Sequence, residues 1–252
     1  MELLFVTDLH YALKQYDWLV AHADRYAFVV IGGDLLDLGS ALQIDVQIIV
    51  VEKYLRRIAA ITPLLVCSGN HDGDHRTAAG ESVAGWLQEA RGLHLAVDGD
   101  AVAIPGALVS ICPWWDGPET RAALERQLER DAAVPKKHWI WVNHSPPQNT
   151  RVSWTGRRYA GDTYMAQWIE RYQPDLLLSG HIHNAPFFPD HGSWMDRLGK
   201  TWIFNPGRQL GPQPATLSVN LETGIVDWLS IEAQGSQVVP ALTVGEPSRL
   251  AT

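Results

Sequence analysis

Short apolar runs recur along the first two-thirds of the chain, and each opens directly onto polar residues. Leu3 to Val6, Phe28 to Ile31, Leu64 to Val66, Trp139 to Val142 and Leu176 to Leu178 are too brief for core helices and read as buried strands. Helical periodicity fills the gaps between them. Ser40-Ala41-Leu42-Gln43 has the form of a capping box that opens a long helix to about Ala60. Further helices are expected over 78–90, 119–133 and 162–172, the last with Asp162 as N-cap and Pro174 beyond its end. After His183 the pattern returns to short strands at 202–204, 216–220 and 226–229, and residues 233–252 have no clear period. The chain therefore reads as one α/β domain over 1–232 followed by an irregular tail over 233–252. In such folds ligands gather beyond the carboxyl ends of the strands, where the polar residues following each apolar run would lie.

The long helix carries two apolar stripes. Ile44, Ile48, Val51 and Leu55 form one, and Leu42, Val46 and Ile49 form another on roughly the opposite side. The surface helix of a monomer needs only one. The second is expected to be covered either by the chain's own loops or by a second copy in a homodimer using the 42–60 helix.

Composition narrows the class. The chain has 252 residues, 46% of them apolar, enough for a substantial core. Met1 to Val6 has no basic leader and is too short for a membrane span, so a cytoplasmic protein with no membrane partner is expected. Cys67 and Cys112 both sit in apolar segments without a C-x-x-C neighbour and read as small core residues in a reducing compartment. A net charge of -8 argues against nucleic acid as a partner.

The polar residues after the apolar runs are Asp8-Leu9-His10, Gly33-Asp34, Gly69-Asn70-His71-Asp72, His144 and Gly180-His181-Ile182-His183. They offer imidazole, carboxylate and amide donors and no thiolate, a mixture suited to Mn, Fe, Zn, Co or Ni rather than Mg or Ca. If the extended geometry of the first strand persists, Asp8 and His10 project from the same face. Gly32-Gly33 and Gly69 allow sharp turns and close backbone approach beside the ligands.

The ordered set D-x-H, G-D, G-N-H-D, H and G-H-x-H resembles the calcineurin-like metallophosphoesterase family, with the resemblance running from Asp8 to His183. It implies a sandwich of two mixed β-sheets flanked by helices, with two divalent metal ions, Mn, Fe or Zn, at one end. One ion would take Asp8, His10, Asp34 and His183. The other would take Asp34, Asn70, His144 and His181, with Asp34 bridging. Two cations outweigh the two carboxylates and a hydroxide, leaving a positive hole suited to a phosphate ester.

The resemblance also implies a reaction, attack by a metal-bridging hydroxide on phosphorus with His71 protonating the leaving oxygen. Asp37 matches the carboxylate that pairs with that histidine, and Asp72 is the competing partner by adjacency. In protein serine/threonine phosphatases and dinucleoside polyphosphate hydrolases of the family, arginine follows this aspartate. Leu38 stands there in this chain, which points to a phosphodiesterase-like branch.

Substrate contacts are open. Arg157 and Arg158, in a loop with Trp154 and Tyr159, are either phosphate contacts or solvated surface residues. Trp114 and Trp115 are either a stacking platform for a nucleobase or core packing. The leading expectation is a hydrolase acting on a small phosphodiester, a cyclic nucleotide being one. The alternatives are a phosphomonoesterase or nuclease on the same site, and a non-catalytic scaffold of the same fold.

Overall fold

A computed structural model describes residues 1–92 and 94–242. The chain opens with β1 (Glu2–Val6), α1 (Leu13–His22), β2 (Phe28–Gly32), α2 (Ile44–Ala59) and β3 (Leu64–Cys67). A small hairpin, β4 (His75–Arg76) and β5 (Ser82–Val83), leads to α3 (Gly85–Ala90) and β6 (Leu95–Val97). Next come β7 (Ala101–Ile104), β8 (Ala107–Ile111), α4 (Pro118–Ala132), β9 (His138–Val142), α5 (Thr163–Tyr172) and β10 (Leu176–Leu178). The last strands are β11 (Met195–Leu198), β12 (Thr201–Phe204), β13 (Thr216–Asn220), β14 (Ile225–Leu229) and β15 (Gln234–Val238).

These strands build two mixed sheets, in the orders β15-β14-β13-β1-β2-β3-β6 and β11-β12-β10-β9-β8-β7. Side-chain alternation assigns each strand face to a layer. In β1, Leu3 and Phe5 face the space between the sheets, where they meet Val109, Ile140, Val142, Leu176 and Phe204 of the second sheet. Leu4 and Val6 point the other way, onto Tyr16 and Leu19 of α1 and Val51, Leu55 and Ile58 of α2. The outer face of the second sheet, with Trp139, Trp141 and Leu177, is covered by Leu124 and Leu128 of α4 and Met165, Trp168 and Ile169 of α5. Four layers result, helix on sheet on sheet on helix. Among the described residues no helix is long and apolar enough to cross a membrane.

Three local expectations need correction. The helix expected over 78–90 begins only at Gly85. Thr77 and Glu81 close a turn through Gly80, whose φ is +82°, while the Asp74 carboxylate accepts the Gly85 amide at 2.7 Å and starts the helix there. Ser40 does not cap α2. Its hydroxyl accepts the Leu42 amide at 3.2 Å in a local turn, and the helix starts at Ile44 with no side-chain cap. The segment read as an irregular tail contains β15, which pairs with β14, and the buried Val239 and Leu242; residues 243–252 lie outside the described residues.

The stripe Ile44, Ile48, Val51 and Leu55 packs on the sheet. The other does not pack: Leu42, Val46 and Ile49 are between 42% and 58% exposed, and Leu38 beside them is equally open. The chain's own described loops therefore do not cover it.

Candidate metal centre

The parallel strands β1, β2 and β3 of one sheet and β9 and β10 of the other end at one edge of the sandwich. Each expected ligand follows such an end. Asp8 and His10 do not leave it in extended geometry, however. Their φ values are +56° and +42°, and Asp34 and His181 are also left-handed, at +52° and +66°. Such conformations cost roughly 1–3 kcal/mol each for residues with a Cβ and persist only where surrounding bonds fix them. Here backbone bonds from Asp8 to Gly33, His10 to Asp34 and Tyr11 to Leu35 fix the first loop against the second. The coiled loop curls both side chains inward, where a straight strand would have carried them past the edge.

Glycines let the loops meet. A Cβ on Gly69 would lie 2.5 Å from the Asp34 amide nitrogen, one on Gly180 2.5 Å from the Asp8 carboxylate, and one on Gly33 2.7 Å from His144 Nδ1. Asp72 ties the second and third loops together: its carboxylate accepts the amides of Leu35 (2.8 Å), Leu36 (3.0 Å) and Gly69 (2.7 Å). It faces away from His71 and is not that residue's partner.

The donors then converge. One donor atom from each of Asp8, His10, Asp34 and His183 lies within 4.8 Å of the others, and the same holds for Asp34, His144 and His181. Asp34 is common to both groups. His183 Nε2 is 3.1 Å from Asp8 Oδ1 and from His10 Nε2, and His144 Nε2 is 3.2 Å from Asp34 Oδ2. Two donors of the set are orphans: Asn70 Oδ1 and His144 Nε2 are buried with no hydrogen-bond partner among the described residues. A buried polar atom without a partner costs about 1–3 kcal/mol, which a cation in the cluster would remove. His144 Nδ1 lies 2.8 Å from the Gly32 carbonyl and donates to it, so Nε2 is the ring nitrogen turned toward the cluster, where a metal would take the place of its proton.

Protonation agrees with this donor set. Burial holds the pKa of His10 and of His181 down to about 4, leaving neutral imidazoles. Burial works against charge on Asp34, but His144 and the His71 amide hold its carboxyl well below the usual carboxylate range. Burial also opposes charge on His144, yet the Asp34 and Asp8 carboxylates raise its pKa to about 10. A field strong enough to hold a proton there favours a divalent cation more. The residues present therefore fit two metal ions sharing Asp34.

His71 sits at the rim, its ring edge-on to His10 with centroids 4.5 Å apart. The Leu38 amide donates to its Nδ1 at 3.2 Å, which puts the ring proton on Nε2. Asp37 comes within the same small cluster as His71 and His10 but forms no ion pair with His71. It accepts the Gly39 amide at 2.9 Å, while the buried Gln47 side chain clasps its backbone N–H and C=O. Asp37 thus shapes the turn that carries Leu38 to His71.

The aromatic and arginine candidates divide. The Trp114 ring stands 5.5 Å from His181 and 5.9 Å from His144 and walls the centre. Trp115 turns away, donating to Asp162 at 2.7 Å and packing on Tyr164. Arg157 and Arg158 are exposed, and their side chains form no hydrogen bond or ion pair with the donors among the described residues.

Two groups in the Asn205-Pro206-Gly207-Arg208 turn escaped the sequence reading. Asn205 Nδ2 lies within hydrogen-bond distance of the carbonyls of Val152, Gly180 and Ile182 and so fixes the loop of His181 and His183. Arg208 follows it. The turn comes straight after the apolar run 202–204, the pattern that marks every other ligand loop, and that signal could have found it.

Comparison with known proteins agrees with the geometry. The calcineurin-like phosphoesterase family pattern matches residues 1–185. Among solved structures, the chain is similar to TT1561 of Thermus thermophilus, with 15% identity and a TM-score of 0.58 over 94% of this chain and 98% of that one. It is similar to a dimetal phosphatase from Danio rerio, with 10% identity and a TM-score of 0.56 over 95% and 99%. It also resembles purple acid phosphatase PPD1 of yellow lupin, with 13% identity and a TM-score of 0.54, over 90% of this chain and 50% of that one. At these identities the likeness is one of fold. No curated protein matches the chain.

Proposed function

Since the chain belongs to the calcineurin-like phosphoesterase family, we propose that it hydrolyses small phosphodiesters, cyclic nucleotides among them, at a centre of two divalent metal ions. The observation that carries this reading is the sharing of Asp34 between two donor groups, with Asn70 and His144 each presenting a buried donor that nothing else satisfies. Asp8, His10, Asp34 and His183 would hold one ion, and Asp34, Asn70, His144 and His181 the other. Bound there, Mn, Fe or Zn ions would polarise the phosphoryl oxygens and lower the pKa of a bound water toward neutrality.

The chain's own residues do the rest. The His71 amide and the His181 amide donate to Asp34 and Asp8, holding each carboxylate in one orientation. His71, with its proton on Nε2, is the donor to the leaving oxygen, and a positioned acid of this kind contributes roughly 10²–10⁴-fold. Asp37 acts through the turn that fixes His71. An exposed apolar Leu38 beside that acid favours a diester, whose phosphorus carries less charge than a monoester's.

The test is hydrolysis of bis(p-nitrophenyl) phosphate by chelator-treated protein before and after Mn addition, with His71→Ala in parallel. Activity that returns with Mn and falls in the variant supports the reading. Hydrolysis of p-nitrophenyl phosphate alone would make the protein a monoesterase, and inactivity of Mn-loaded protein on both would favour the scaffold. The open stripe Leu38, Leu42, Val46 and Ile49 supports pairing with a second copy through α2. The two free, buried thiols are in keeping with a reducing, cytoplasmic setting.

A further inference from the structure

Trp114 walls more than the metal centre. It also borders a cavity of about 570 Å³ that none of the expected metal donors lines. The cavity lies at the same edge of the sandwich, because three of its lining residues follow strands that run parallel to the ligand strands: Ser68 after β3, Asp98 after β6 and Pro113 after β8. Residues of α3 and α4 border it as well. Open α/β sheets bind ligands beyond the carboxyl ends of such strands, and the volume falls in the range of roughly 300–1,000 Å³ usual for small-molecule sites.

Two acceptors among its lining residues are spare. Asp98 is 5% exposed and forms no ion pair among the described residues; Arg91, the nearby cation, bonds to its backbone carbonyl at 3.3 Å and pairs with Asp100 instead. Its carboxylate accepts the Ser68 amide at 2.8 Å on Oδ1. Holding that amide needs no charge, and a buried carboxylate carries a desolvation cost that a neutral side chain would avoid. Gln127 is also 5% exposed. Its Nε2 donates to the Ile111 carbonyl at 3.0 Å, which fixes the orientation of the amide, and its Oε1 is buried with no hydrogen-bond partner among the described residues. The side-chain donors nearby are engaged, Gln88 with the Asp98 carbonyl and Thr120 with Glu81. What the cavity lacks is therefore N–H donors. Arg126 and Arg130 line it too and oppose a cationic ligand, while Val83, Ala84, Pro113 and Trp114 offer apolar surface to a flat ring.

We propose that this cavity is a second ligand site, separate from the metal centre, that takes a neutral planar heterocycle through adjacent N–H donors of the kind a guanine edge presents at N1 and N2. The Asp98 carboxylate accepts the pair, Gln127 Oε1 accepts a further N–H, and the ring stacks on the apolar wall. Adenine, which carries an acceptor at N1, would set a lone pair against the same carboxylate. The Trp114 amide donates to Ser68 Oγ at 2.9 Å, and Ser68 leads directly into Gly69 and Asn70. A ligand held here thus bears on the loop that supplies Asn70 and on the wall of the centre. The proposal does not depend on which ester the centre hydrolyses.

The test is titration calorimetry of guanosine and of adenosine into Mn-loaded protein, with and without excess inorganic phosphate, for wild type, Asp98→Asn and Ala123→Trp. Melting temperature and bound Mn are read for each variant to show that the fold and the metal centre are intact. Wild type is expected to bind guanosine about tenfold or more tighter than adenosine, with an affinity that phosphate changes by less than about twofold. Asp98→Asn keeps an acceptor for the Ser68 amide but sets an NH₂ against the ligand's donors, and is expected to weaken guanosine about tenfold to a hundredfold. Ala123 is an exposed α4 residue at the cavity wall, and Ala123→Trp is expected to fill the space and abolish binding. Failure of wild type to bind guanosine overturns the proposal, as does an affinity within about twofold of wild type in either folded variant. Equal binding of adenosine would overturn the N–H donor assignment, and displacement of guanosine by phosphate would place it at the metal centre and overturn the separate site.

Discussion

Asp72→Ala tests how the metal loops are held. The side chain is fully buried and accepts three backbone amides, those of Leu35, Leu36 and Gly69, at 2.7–3.0 Å. Truncation leaves three buried N–H groups without partners. Each costs about 1–3 kcal/mol, and because the loops can relax together the sum is expected at roughly 3–5 kcal/mol. Burial and the neighbouring Asp34 carboxylate raise the Asp72 pKa to about 8, so near neutrality folding must protonate this group, a cost that truncation returns. The expected net destabilisation is therefore nearer the lower figure. The Asp34 and Asn70 loops lose their common tie, so Mn affinity falls with stability. Asp72→Asn keeps the shape and two of the acceptor bonds, but places an NH₂ against the Gly69 amide and is expected to cost about 1–3 kcal/mol. Urea unfolding by circular dichroism gives both numbers, and Mn titration gives the affinities. A loss under 1 kcal/mol for Asp72→Ala, with Mn binding unchanged, would refute the claim that this carboxylate builds the centre.

Two further outcomes follow from other groups. Burial raises the pKa of Asp98 to about 6 against the hydrogen bonds from Ser68, above an unfolded value of about 3.9. The folded state therefore holds this proton more tightly, so stability is greatest below about pH 4, falls as pH rises through 6, and loses roughly 3 kcal/mol before levelling. Asp98→Asn should remove that slope from a wild-type-minus-variant comparison of urea unfolding between pH 4 and 7.5; parallel profiles would contradict it. For the open stripe on α2, light scattering is expected to give a dimer mass for wild type and a monomer mass for Val46→Asp with its melting temperature unchanged; a monomeric wild type at high concentration would remove the self-association reading.

Much of this centre was legible in the sequence because buried parallel strands are short apolar runs, and the residues after them must lie at one edge. It was the family resemblance that singled out Asp8, His10, Asp34, Asn70, His144, His181 and His183 as ligands, while that argument placed the motif residues at one edge without any knowledge of sheet order. It failed where conformation departs from periodicity. Extended geometry at Asp8 and His10 was a fair local expectation, but tertiary bonds from Gly33, Asp34 and Leu35 impose positive φ there. The helix expected over 78–90 yielded its first half because Asp74, eleven residues before Gly85 in sequence, supplies the start of the helix from a distance. Asp72 is adjacent to His71, and adjacency suggested a pair; the structure turns the two side chains to different loops. The Asn205 and Arg208 turn lies beyond the last recognised motif, and its place beside His183 depends on β12 pairing with β10, which no sequence period encodes.

The central claim is that this chain holds two cooperating metal ions about Asp34, and titration of chelator-stripped protein with Mn, reading bound metal and diester hydrolysis together, tests it most directly. The account predicts saturation at two ions per chain, with hydrolysis rising as the second site fills and both lost in Asp34→Ala. Saturation at a single ion, or hydrolysis that proceeds without metal, would contradict it.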